Sequence, residues 1–322
     1  MKKIVGIDIA KLTFEVNYID ANGQCHSVSY ANTAKGHQEF LLSVGVGYIF
    51  VMEATGAYYY LLASYLYEQG AEVCVLNPLV AKRYCQMRFQ RNKTDKADAL
   101  ALREFGQTQE LNYWKPLSSN DMKIRHLYSN VKRLVKNRTA LINQLHAFKT
   151  SGNLANDLAK MMEEELSQIK KYIASLETQL EKLVEQSYPD LFGRVQTIPG
   201  IGPKSALLLL VVCRGFQNFT NAKQVIAYIG TSPRVFQSGT SVNGKSKICK
   251  LGMSSVRQTL YVAANSAIKY NATCKALYER LREKGKPYRV AMIAVVNKLV
   301  KQVFAIAKSG IPYQQGHQPI LN

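Results

Sequence analysis

The stretch Lys3-Ile4-Val5-Gly6-Ile7-Asp8-Ile9-Ala10 is an apolar run with one carboxylate set in its middle. A Val- and Ile-rich run this short, closing on Lys11, reads as a strand buried on both faces. Asp8 is the anomaly, because an ionised carboxylate left without a partner in an apolar sheet costs about 3–5 kcal/mol. The candidates for its neighbours are further carboxylates. Glu53 closes the apolar run that begins at Tyr48, and Asp95 and Asp98 lie in Lys93-Thr94-Asp95-Lys96-Ala97-Asp98-Ala99. Like charges gathered in one place require cations between them, so the set predicts a metal centre.

Outward from the first strand, Leu12, Phe14, Val16 and Tyr18 alternate with mostly polar residues, the period of a half-buried strand. Asp20-Ala21-Asn22-Gly23 is a turn signal, and His26 to Tyr30 alternates again as the returning strand. Asn32-Thr33 caps a helix to about Leu42, Tyr48 to Met52 is a fourth strand, Tyr58 to Glu68 a helix, and Glu72 to Leu76 a fifth strand. Three antiparallel strands, helix, strand, helix, strand is the ribonuclease H-like order, which the carboxylates on the first and fourth strands single out from other α/β alternations. Thr94 is an N-cap for the helix carrying Asp95 and Asp98, whose spacing of three puts both on one face. Acidic residues in a first helical turn also serve simply to complement the helix dipole, worth about 0.3–1 kcal/mol.

The net charge of +20 is unevenly spread. Residues 1–120 carry 12 Lys and Arg against 11 Asp and Glu, residues 121–190 carry 11 against 9, and residues 191–322 carry 19 against 2, Glu279 and Glu283. The last third therefore reads as the polyanion-binding part, with salt-sensitive affinity for phosphate backbones; a basic face kept for solubility is the plainer alternative. Six cysteines show neither a CxxC pair nor a His at zinc spacing, so neither a disulfide framework nor a structural zinc site is indicated. With no charged-then-apolar leader ahead of the first strand, reduced thiols in a cytoplasmic protein are expected. The apolar runs Ser205 to Cys213 and Val290 to Ile306 are too short or carry Lys298 and Lys301, arguing against a membrane span.

Asp121 to Lys149 forms an amphipathic helix whose basic positions suit a nucleic acid or plain solvent. Leu166, Ile169, Ile173, Leu176, Leu180 and Leu183 alternate in steps of three and four, the pattern of a short coiled coil or of a helix packed on its own domain. Ile198-Pro199-Gly200-Ile201-Gly202-Pro203-Lys204 resembles a helix-hairpin-helix turn able to hold a phosphate beside Lys204, and equally an ordinary Pro-Gly turn. Phe219 to Ile229 reads as a helix. Ser232 to Gly252 reads as a loop mixing Ser, Thr and Gly with Arg234, Lys245, Lys247 and Lys250, with Arg257 just beyond. A Ser beside Gly among cations suits a nucleophile attacking a phosphodiester, or a phosphate-gripping loop without chemistry. Segments 254–269, 274–283 and 288–309 read as helices, and 311–322 as a loose tail.

Gly6-Ile7-Asp8-Ile9-Ala10-Lys11, Glu53-Ala54-Thr55-Gly56, the Asp95/Asp98 segment, Ile198 to Gly202 and Ser238-Gly239-Thr240-Ser241 together resemble, in order and nearly end to end, the DEDD-type transposases of the insertion-sequence one-ten family. These are recombinases related to the pilin-gene invertase and guided by a bridge RNA. The resemblance implies a RuvC-like α/β domain at 1–112 with Asp8, Glu53, Asp95 and Asp98 as ligands of Mg²⁺, two ions being expected. It implies a helical linker and coiled coil at 113–190, and a mostly α, basic transposase domain at 191–322 with Ser238 as nucleophile. The choice of Ser238 over Ser241 rests on the resemblance alone. Target and donor DNA, a non-coding bridge RNA and a homo-oligomer, dimer or tetramer, are the implied partners, with no membrane. Arg234, Lys245, Lys247, Lys250, Arg257 and Lys204 are the expected nucleic-acid contacts. Two other classes fit the residues: a junction-resolving nuclease using water and the same metals, and a binding protein whose acids are structural.

Overall fold

A computed structural model describes residues 3–89, 94–238, 242–249 and 251–315, with the backbone path alone for 235–238 and 242–246. The chain divides into two compact units, residues 1–117 and 118–322.

The first unit is a five-stranded mixed sheet in the order β3-β2-β1-β4-β5, formed by β1 (Ile4–Ile9), β2 (Thr13–Ile19), β3 (Cys25–Ala31), β4 (Ile49–Glu53) and β5 (Glu72–Leu76). β1 pairs antiparallel with β2 and parallel with β4, so the opening stretch is the central strand, as its apolar run requires. Its two faces feed different cores. Val5, Ile7 and Ile9 pack with Phe40 of helix α1 (Ala34–Val44) and Leu62 and Leu66 of α2 (Tyr59–Glu68). Ile4 packs on the other face with Ala81 and Tyr84 of α3 (Pro78–Met87) and Leu102 and Phe105 of α4 (Asp95–Thr108). Each fully buried Ile or Phe contributes about 1.5–3 kcal/mol of transfer free energy, which makes this two-sided burial the main support of the sheet.

Two of these helices are capped as their sequences require. Thr33 accepts from the Gly36 N–H at 3.2 Å, and Thr94 accepts from the Ala97 N–H at 3.2 Å. Between β5 and α4 the structure adds a helix the apolar periods do not predict, α3; Asn77 caps it, accepting from the Leu79 N–H at 2.9 Å, and Pro78 occupies its first turn.

Among the described residues the second unit is helical apart from one hairpin. Two long helices, α5 (Ser119–Thr150) and α6 (Asn156–Ser187), pack on each other through Leu134, Ile169 and Ile173. Leu180 and Val184, further along the α6 seam, join the main core of this unit. That core is gathered around α8 (Pro203–Cys213), α9 (Ala222–Ile229), α10 (Ser254–Tyr270) and α12 (Tyr288–Ser309), with the short α7 (Leu191–Gln196) and α11 (Ala272–Glu283) against it. Among the described residues α12 is the one helix long and apolar enough to cross a membrane; here its Val295, Val296, Leu299, Val300 and Val303 are fully buried in protein.

Two expectations change. The segment 232–252, read as a loop, contains strands β6 (Pro233–Ser238) and β7 (Val242–Ile248), paired antiparallel with an irregularity between Arg234 and Phe236. Small polar residues and glycines conceal a two-stranded ribbon, because the sequence there shows no apolar alternation to mark strands. The start of the supposed loose tail is docked: the Tyr313 N–H donates to Thr197 Oγ1 at 2.8 Å and its hydroxyl to Asn271 Oδ1 at 3.3 Å.

Candidate catalytic site

Three elements of the first unit bring its acids together. Ile7 pairs with Met52, so Asp8 and Glu53 are the next residues along two adjacent parallel strands, their side chains on one face. That face is the one covered by α4. The helix lies almost on the strand backbone, because a Cβ at Gly6 would overlap the Ala99 carbonyl oxygen and the Arg103 backbone nitrogen. Gly106 repeats the device from the helix side, where a Cβ would stand 2.6 Å from Ile4 and 2.9 Å from Val51. With the helix seated so closely, its first turn delivers Asp95 and Asp98 to the end of β1.

The electrostatics report the convergence. The Asp8 carboxyl is pushed up from 3.8 to about 6, first by burial and then by the negative charges of Asp98, Asp95 and Glu53, against one hydrogen bond from the Ile9 backbone that lowers it. Cys85 of α3 feels the same field: burial raises its thiol pKa first, then Asp98 and Glu53. α3 therefore lies against the acids, a neighbour that the sequence reading did not supply although Asn77-Pro78 signals it. Arg88, just past α3, forms an ion pair with Glu104 of α4.

Among the described residues no three His, Cys, Asp or Glu side chains already converge closely enough to share an ion. The donor chemistry nevertheless fits a hard divalent cation: four carboxylate side chains, no soft ligand required, and an Asp8 carboxyl raised by burial and by the negative charges of the other three.

In the second unit the expected phosphate contacts have varied fates. Ser238 ends β6 opposite Val242; its side chain, that of Lys245, and residues Ser241 and Lys250 lie outside what is described. Arg234 and Lys247 are exposed on the hairpin. Arg257 is half-buried and donates to the Ile229 carbonyl at 3.0 Å, tying α10 to α9. Lys204 pairs with Glu177 of α6 at 3.2 Å. The turn between α7 and α8 is tight: Gly200 has φ of 102°, and a Cβ there would stand 2.7 Å from Ala267. The Ile201 N–H closes it on the Ile198 carbonyl at 2.9 Å. A cavity of about 660 Å³ opens beside this turn, lined by Gly202, Lys204, Gln258 and Thr259 among others.

The family profile of the DEDD transposases of the IS110 group matches residues 5–150. A second, described as transposase IS116/IS110/IS902 family, matches residues 193–279. The chain is 30% identical over 329 residues to the pilin gene-inverting protein of Moraxella lacunata, spanning 98% of both chains. It is 26% identical over 348 residues to the transposase for insertion sequence element IS1111A of Coxiella burnetii, spanning 98% of this chain and 92% of that one. A probable family 20 transposase of Pseudomonas aeruginosa is 23% identical over 345 residues, with 97% and 98% spanned. Kinship along nearly the whole length, joined to an acid-bearing α/β unit followed by a basic helical one, makes this chain a member of the IS110/IS116/IS902 family of transposases, enzymes that act on DNA.

Proposed function

We propose that this transposase cuts and rejoins DNA through a serine ester formed at Ser238, with Asp8, Glu53, Asp95 and Asp98 holding Mg²⁺, two ions, in a RuvC-like domain. The observation that carries the reading is the shared field of the four acids, felt at Asp8. The strand order, β3-β2-β1-β4-β5 with the first three strands antiparallel and the last two added in parallel, supports a ribonuclease H-like scaffold. We assign residues 1–112 to that domain, 113–190 to a helical linker and coiled coil, and 191–322 to the transposase domain proper.

In the proposed reaction the Ser238 hydroxyl oxygen forms a bond to the DNA phosphorus, and the bond from phosphorus to the leaving sugar oxygen breaks. The serine proton is given up and the leaving oxygen takes one, so the step is balanced. The reverse attack by a sugar hydroxyl of another strand reseals the backbone without ATP, since the ester stores the bond. Bound Mg²⁺ supplies charge for the phosphate oxygens. The chain's own contribution is to fix its acids on two strands and a helix seated on bare backbone, and to supply Arg234, Lys245, Lys247 and Lys250 from the same stretch of sequence as Ser238. Guidance by a non-coding bridge RNA, pairing with target and donor DNA, fits a protein that reads backbone rather than sequence. Homo-oligomerisation would pair one protomer's acids with another's serine.

The test is denaturing electrophoresis of the protein with end-labelled donor DNA and Mg²⁺. Wild type and Ser241→Ala are expected to give a covalent protein–DNA band, and Ser238→Ala none. Undiminished cleavage by Ser238→Ala overturns the serine ester in favour of hydrolysis by water.

A further inference from the structure

α11 and α12 form an antiparallel pair, tied at one end by Asn271 Nδ2 donating to Gln302 Oε1 at 3.0 Å. Between them runs a groove of about 630 Å³. Its lining is one-sided in charge: Arg280 from α11, Lys298 and Lys301 from α12, and no Asp or Glu. Lys298 and Lys301 are one turn apart and so share a face, while Thr273 and Arg280 lie on one stripe of α11, about 10 Å apart along its axis. Among the described residues none of the three cations has an ion pair: the two acids of this third of the chain lie outside the groove, and Glu279 is engaged by Lys275. Lys298 is half-buried, a position where an uncompensated ammonium is costly. The N-terminal end of α11, beside Thr273, adds positive potential at the same end of the groove.

The remaining lining limits what the groove takes. Ala276, Leu277 and Ala294 supply a small apolar floor, and there is no aromatic ring on which a base could stack. Asn297 is committed, its Oδ1 accepting from the Thr231 hydroxyl at 2.6 Å. What is left to meet a ligand is three cations and the Thr273 hydroxyl, a set of donors matched to phosphate oxygens, with no free amide or carboxylate to read adenine or cytosine edges.

We infer that the α11–α12 groove is a sequence-independent seat for a nucleic-acid phosphodiester backbone, held by Arg280, Lys298 and Lys301 and spanning at least two phosphates of one strand. The seat rests on the reading of the chain as a nucleic-acid enzyme, and adds to it a place apart from the Ser238 hairpin.

The experiment uses the full chain carrying Arg280→Gln, Lys298→Gln and Lys301→Gln together. Its binding to labelled duplex DNA of arbitrary sequence, and to RNA of the same sequence, is followed by fluorescence anisotropy across a salt series. Loss of three phosphate contacts is expected to weaken binding at least about tenfold and to flatten the log K against log salt slope by up to about 3. A control with the same change of charge, Lys170→Gln, Lys171→Gln and Lys182→Gln on the outer surface of α6, is expected to do neither. Loss with DNA alone, RNA alone or both supports the seat and assigns its strand. An unaltered slope, or a loss matched by the α6 control, overturns it. Because three repelling charges are removed, the melting temperature at low salt is expected not to fall, which separates lost binding from lost folding. The covalent-band assay on the same preparations separates the two ideas: a wild-type band with an unchanged slope defeats the groove alone, whereas no band in wild type defeats the serine ester and leaves the slope comparison standing.

Discussion

The two units solve opposite electrostatic problems. The first carries nearly balanced charge, 12 basic residues against 11 acidic over residues 1–120, and gathers four of its acids where burial already penalises one of them. The second concentrates its charge in residues 191–322, 19 basic residues against 2 acidic, most of those described lying exposed. A site meant to hold small, hard cations needs like charges on rigid elements at close range; a surface meant for a polyanion needs only many charges spread widely, because each phosphate contact acts through released counterions. The contrast teaches that geometry matters most in the first unit and number in the second.

The largest effect that tests this contrast is that of salt. Non-specific duplex binding by the full chain is expected to fall about 10³-fold or more between 50 and 200 mM salt, and Asp8→Asn to leave the slope unchanged; a slope that moved with Asp8 would break the division of labour. Next comes Gly6→Ala. With helix backbone already in the place of its Cβ, about 3 kcal/mol or more of stability is expected to go, read as loss of hydrogen-exchange protection in β1 and α4. A neutral Gly6→Ala would mean that α4 does not set the acids.

Smaller still is Asp8 itself. Folding raises its pKa from 3.8 to about 6, so between those values the folded chain holds a proton that the unfolded chain releases. Stability therefore declines as pH rises through that window, and the cost of the charge is complete at pH 7. Asp8→Asn is expected to gain about 1–2 kcal/mol at pH 7, less than the full linkage value because the carboxyl is partly hydrated, with the gain fading below about pH 4. Added Mg²⁺ is expected to raise the melting temperature of wild type and not of the variant. The smallest effect sharpens the other side: Glu177→Gln is expected to change stability by less than about 0.5 kcal/mol, since its partner Lys204 is 77% exposed. It frees that lysine, so duplex affinity is expected to rise about twofold to tenfold, consistent with one added phosphate contact.

Much of the first unit is legible in its residues because its signals are local and strong. The buried strand with Asp8 and the fourth strand ending on Glu53 announce themselves by period and composition, and Thr94 announces the helix of Asp95 and Asp98 by capping chemistry. α3 escapes because its exposed Leu79, Val80 and Met87 blur the apolar stripe, leaving Asn77 and Pro78 as its only sharp marks. The hairpin of β6 and β7 escapes because its glycines, serines and lysines break any apolar alternation in the sequence. Arg103 is beyond the reach of sequence: an arginine only 8% exposed on α4, with Nη1 directed at the Cys25 sulfur at 3.3 Å and Nε without a partner, contradicts the habit of buried charge. The groove between α11 and α12 is invisible for a different reason, since its three cations come from two helices and become neighbours only when those helices pair.

Gly6 has the smallest side chain of the opening stretch, a hydrogen, and it governs the gauge between two rails. Anyone transplanting the four carboxylates onto another scaffold would have to copy that gap first, since a methyl group there lifts the helix and carries two of the four acids out of register with the others.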